Sequence, residues 1–102
     1  MEAIKMKTIR FGVAYGASPI FDPDVDYMGY VETKELGLSF ELEKEINEWN
    51  EVYQNTFCDE YPPDSGFKNI ANIMLHNKKG EILASKIEKE SGGKLRVQFL
   101  AI

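Results

Sequence analysis

The sequence predicts an α+β fold of element order β-β-α-α-β. It is a two-layer sandwich with a three-stranded antiparallel sheet and two helices on one face. Three observations predict it. Period-two apolar alternation occurs at both ends of the chain, in "KTIRFGVA" and "KLRVQFLAI". A long helical pattern runs through "FELEKEINEWNEVYQNTF". A double proline in "EYPPDSGF" then separates that pattern from a second one rich in helix formers.

At 102 residues, with 43% hydrophobic and 28% charged residues, the chain reads as one domain spanning 1–102, with a small core. In the first strand, Ile9, Phe11 and Val13 share one side. "GASPIFDPDVD" reads as a loop from its Gly, Pro and Asp content. "YMGYVETK" reads as the second strand, with Tyr27, Gly29 and Val31 alternating against Met28, Tyr30 and Glu32.

Ser39 is the expected N-cap of the first helix, and acids crowd its first turns where the helix dipole favours them. Leu42, Ile46, Trp49, Tyr53 and Phe57 make one apolar stripe, the core face. Glu41, Glu45, Glu48 and Val52 fall within roughly a 60° arc on its flank at 100° per residue. Only Lys44 offers a cation four residues away along the same helix.

Pro62 and Pro63 end this region, and Asp64 or Ser65 is the expected cap of a second helix running from about 67 or 68 to 90. Tyr61 and Phe67 are expected to staple the corner to the core. Ile70, Ile73, Met74, Asn77, Gly80, Ala84 and Ile87 are expected on one face. Gly80 leaves two readings open: a helix in which glycine allows close approach, or a hairpin of "IANIML" and "EILASKI" turning at "HNKKGE". "SGG" stops the segment, and Leu95, Val97 and Phe99 alternate in a closing inner strand.

Charge is unevenly spread. Residues 35–64 carry nine acids and one lysine, whereas residues 65–102 carry three acids and seven bases, within a chain of net charge −5. A segment of net −8 repels phosphate, so nucleic acid is not an expected partner and a basic protein surface is. No run of apolar residues suits a membrane span or a secretory leader. The lone Cys58 fits a reducing compartment, so a cytoplasmic location is expected.

The chemistry-bearing patterns are thin. Asp22, Asp24 and Asp26 are spaced like the start of a calcium loop. Tyr27 stands where the turn needs glycine, and Thr33 where the bidentate acid belongs. Asx-type turns explain them better. One cysteine and one histidine are too few for a structural zinc site. Gly12 and Gly16 lack the company of a phosphate loop. His76 reads as a surface or boundary residue of the second helix. No metal, cofactor or catalytic residue is expected.

"GLSFELEKEINEWNEVYQNTF…YPPDSGF" resembles a pattern of short bacterial proteins. In it, a strand ends near Gly-Leu-Ser, and a helix carries Trp and Tyr four apart. A Pro/Ser-Gly-Phe turn, a helix with an internal glycine and a closing strand follow. The matching residues are Gly37, Leu38, Ser39, Trp49, Tyr53, Pro62, Ser65, Gly66, Phe67, Gly80 and Val97, across about residues 36–99. Some of these proteins are similar to immunity proteins of contact-dependent growth inhibition and other polymorphic toxin systems. The resemblance implies one helix over 67–90. It also implies a non-enzymatic inhibitor that binds a cognate toxin, a nuclease, in the cytoplasm.

With that function, the acidic residues become the expected toxin contacts. Glu41, Glu45 and Glu48, with Asp59, Glu60 and Asp64 near the helix end, form one patch, and Asp22, Asp24 and Asp26 a second. Two alternatives use other residues. One is a small enzyme or ligand-binding domain with a pocket near Cys58, His76 and Tyr61. The other is a structural domain that forms a homodimer through Phe21, Tyr27 and Tyr30.

Overall fold

Alternation in the first strand works as the residues dictate: Ile9 and Phe11 are buried while Thr8 and Arg10 face out. The computed structural model describes residues 7–24 and 28–102. Its elements are β1 (Lys7–Phe11), β2 (Ile20–Asp22), β3 (Gly29–Val31), α1 (Phe40–Gln54), α2 (Ile70–Glu90) and β4 (Leu95–Phe99). Short 3₁₀ turns occupy Thr33–Leu36 and Pro62–Asp64.

The α+β layering stands, but among the described residues the sheet has four strands and is mixed. Its order is β3-β2-β1-β4. The additional strand lies in the segment read as loop. Ile20 and Phe21 pair antiparallel with Phe11 and Arg10, because two apolar residues behind Pro19 suffice for a short strand. The closing strand pairs parallel with β1, from Lys7↔Leu95 to Phe11↔Phe99, and forms an edge instead of an inner strand.

Chain direction explains the parallel pairing. The 3₁₀ turn at Thr33–Leu36, where the sequence pattern placed a strand end, carries the chain back after β3. Helix α1 therefore runs alongside β1: Trp49 stacks on Phe11, and Gln54 Nε2 donates to the Ala14 carbonyl. Helix α2 returns antiparallel, and β4 reverses once more.

Both helices cover one face of the sheet. The core joins Ile9, Phe11 and Ile20 to Leu42, Ile46 and Trp49 from α1 and to Leu83, Ala84 and Ile87 from α2. Ser39 caps α1 as expected, its Oγ accepting from the Leu42 N–H at 3.2 Å. Along the expected stripe, Tyr53 is half-buried, and Phe57 is exposed beyond the helix end.

Helix α2 is continuous through Gly80, which settles the open alternative. A Cβ at Gly80 would overlap the Phe99 ring and lie 2.9 Å from Trp49 Cζ2, so close approach is its role. The cap is Asn69, whose Oδ1 accepts from the Ala71 N–H at 2.7 Å; Asp64 and Ser65 lie too early, in the corner. The buried face is also rotated. Ile70 and Met74 are exposed, and His76, Gly80, Leu83, Ala84 and Ile87 are buried. Tyr61 is exposed, and of the two expected staples only Phe67 packs inward among the described residues, against Tyr53 and His76.

Candidate functional site

Helix periodicity places Glu41, Glu45 and Glu48 together on one exposed flank of α1. Helix α2 runs antiparallel beside that flank: Ser39 meets Glu90, Glu45 meets Lys86, and Trp49 meets His76. The flank is not purely anionic as a result. Lys86 Nζ lies 2.9 Å from Glu45 Oε2, a partner that single-helix spacing could not reveal. Lys44 stands 4.0 Å from Glu48. Among the described residues, Glu41, Asp59 and Glu60 have no ion-pair partner.

The remaining acids separate into different places. Asp59, Glu60 and Asp64 belong to the exposed corner after α1, where Asp64 pairs with Lys68 at 2.9 Å. Asp22 leaves the second acidic patch altogether. Alternation in β2 turns its side chain inward, where it is 2% exposed and held by Lys7 Nζ at 2.5 Å. Its Oδ1 also accepts from the Asp24 N–H, an Asx turn. Burial alone would raise the Asp22 carboxyl, but the Lys7 hydrogen bond, the Asp24 N–H and the Lys7 charge outweigh it and hold it below the usual value. Asp24 is exposed beside it, and Asp26 and Tyr27 lie outside the described residues.

Between α1 and α2 the side chains leave an open groove. Its central cleft, about 460 Å³, is lined by Glu45, Glu48, Trp49, Val52, Lys79, Ile82, Leu83 and Lys86. A second cleft of about 230 Å³ extends it past Leu75 and His76 to Phe67. Sequence reasoning found the acids of one lip and missed Leu75, Lys79, Ile82 and Lys86 of the other. Their i, i+4, i+7, i+11 spacing was the available signal.

His76 is not a surface or boundary residue. Its ring stacks on Trp49 with centroids 4.4 Å apart and packs against Tyr53 and Phe67, leaving it 4% exposed. Burial pushes its pKa below the ordinary value, so the neutral imidazole is favoured. Its Nε2 is buried without a hydrogen-bond partner. Cys58 belongs to the corner, where its N–H donates to Ser65 Oγ at 2.7 Å, and no hydrogen bond joins it to His76 among the described residues. No group of three His, Cys, Asp or Glu is placed to hold a metal among them either.

The other sheet face carries a cross-strand row. Register aligns Tyr30, Phe21, Arg10 and Gln98. Phe21 meets Tyr30 edge-on at 5.2 Å, and the Arg10 guanidinium lies 5.9 Å from the Phe21 centroid. No helix of the described residues is long and apolar enough to cross a membrane.

Compared with protein families, residues 7–101 match the family described as Serratia CdiI immunity protein-like. The match includes the first two strands as well as the helical pattern. No curated protein matches the chain.

Proposed function

The chain belongs to the Serratia CdiI immunity protein-like family, and from that membership we propose that it neutralises a cognate toxin by binding it, with no reaction of its own. The match over residues 7–101 is the observation that carries this reading. The toxin is proposed to be a nuclease, met in the cytoplasm. A nuclease cleft is basic because it holds phosphate, and an exposed anionic helix flank complements it. Glu41, Glu45 and Glu48 are the proposed contacts, with Asp59, Glu60 and Asp64 extending the acidic surface at the corner and Asp24 a further candidate.

Association of this kind is steered by long-range charge and completed by short-range packing. The acidic residues need only be exposed for the first part, and the candidates on α1 and the corner are.

The test is protection. A toxin domain of a contact-dependent growth inhibition system, identified as the chain's binding partner, is expressed alone and with the chain. Growth arrest by the toxin and its relief by the chain are expected. Arrest that persists beside abundant, folded chain would overturn the reading.

The Tyr30–Phe21–Arg10 row favours a second reading, self-association through the open sheet face. Sedimentation at several concentrations tests it: a mass that stays at one chain throughout removes it.

A further inference from the structure

Helices α1 and α2 leave more apolar surface along their shared groove than packing against the sheet requires. Val52 on one lip is 56% exposed, and Leu75 and Ile82 on the other are 54% and 48% exposed. They surround a floor of Trp49 and Leu83. The two clefts share Trp49, Val52 and Lys79, so they form one channel. Its wall rises from Leu75 to Lys86, about 16 Å at 1.5 Å per residue, or three helical turns.

The lips differ in charge. Glu45 and Glu48 line the α1 side, and Lys79 and Lys86 line the α2 side. The Glu45–Lys86 pair bars one end, and Glu48, with Lys44 4.0 Å away on its outer side, faces Lys79 across the apolar stretch.

We propose that this groove seats an amphipathic helix of the toxin. Both lips are rows at helical spacing, which accept the ridge of a third helix. The occupant carries apolar anchors at i and i+4 or i+7. A basic flank lies toward Glu48 and an acidic flank toward Lys79, so the charge asymmetry sets its direction. The apolar anchors supply the short-range affinity that the acidic flank alone lacks. This proposal rests on the toxin-binding reading.

The experiment titrates the purified full chain with the purified toxin domain that the protection assay uses, by calorimetry. The variants are Val52→Lys and Leu75→Glu, both at positions more than half exposed, with Met74→Lys, exposed and lining neither cleft, as the control. Thermal melts accompany each. The groove variants are expected to bind at least about 100-fold more weakly, and the control to bind like the parent. If a charged variant fails to fold, Val52→Ser and Leu75→Ser replace it, with a loss of about 10-fold or more expected. Parent binding with unchanged affinity in folded groove variants overturns the groove and leaves toxin binding standing. No binding by the parent chain overturns both.

Discussion

Trp49 and His76 hold each other through two contacts. Their rings stack 4.4 Å apart at 14°, and Trp49 Nε1 donates to the His76 carbonyl at 3.0 Å. One contact uses the side chain of His76 and the other its backbone. Together they tie the middle of α1 to α2, and they enclose an imidazole that resists protonation.

That enclosure predicts a pH dependence. The unfolded chain takes up the histidine proton near 6.5, whereas burial holds the folded pKa lower. Between those values the unfolded state binds more protons, so stability falls as pH falls below 6.5. Among the rings packed on His76, Tyr53 alone is titratable, and it is neutral in this range; Lys79 lines the same cleft. Melting temperature should drop from pH 7 to pH 5, and His76→Phe, which keeps the stack, should lose that part of the slope. Equal slopes in both proteins would contradict the assignment.

Gly80 predicts the opposite of helix propensity. Alanine in a helix interior normally gains about 1 kcal/mol over glycine. Here its methyl would overlap Phe99 and crowd Trp49. Gly80→Ala should therefore lose roughly 1–3 kcal/mol from overpacking, read by urea unfolding. A stabilised variant would show that β4 can move aside freely.

Lys7 and Asp22 give a third expectation. Lys7→Met removes the charge that holds a buried carboxylate ionised, at a cost of about 1–2 kcal/mol because the lysine itself is half-exposed. With its folded pKa depressed, Asp22 contributes stability that is present above 3.8 and lost as pH falls through the folded value. The gap between parent and variant should thus be widest at pH 7 and shrink as pH falls through the folded value. A gap independent of pH would mean that the pair is electrostatically idle.

A fourth expectation concerns Cys58. It sits in the proline corner, with no hydrogen bond to His76 among the described residues. Cys58→Ser should protect cells from the toxin as the parent does. Loss of protection by a folded, expressed variant would favour chemistry at the thiol and weaken the binding-only reading.

Much of this architecture is written in local pattern. The Ser39 cap, the Leu42–Ile46–Trp49 stripe and the Ile9–Phe11 alternation each depend on neighbours within one element, and each forms as expected. What is not legible depends on partners far along the chain. Three residues at Ile20 make a strand only because β1 offers an edge. Parallel pairing of β4 depends on the return at Thr33–Leu36, a 3₁₀ turn closed by Gly37 in the left-handed conformation, and the glycine alone does not say which way the chain then runs. His76 is inside because the Gly80 approach rotates α2, which buries 76 and exposes 70 and 74. The same logic governs the candidate surface. The acids on α1 follow from spacing, but Lys86 reaches Glu45 from 41 residues away in sequence.

The most direct measurement of the central claim is toxin affinity as a function of salt, for the parent and for Glu41→Lys/Glu45→Lys/Glu48→Lys. Screening weakens exposed charge pairs as ionic strength rises from about 50 to about 500 mM. The parent should bind tightly at low salt and lose affinity steadily across that range. The triple variant should bind at least about 10-fold more weakly at low salt, with a flattened dependence. A triple variant that keeps both the parent affinity and the parent salt dependence would contradict the claim that this flank meets the toxin.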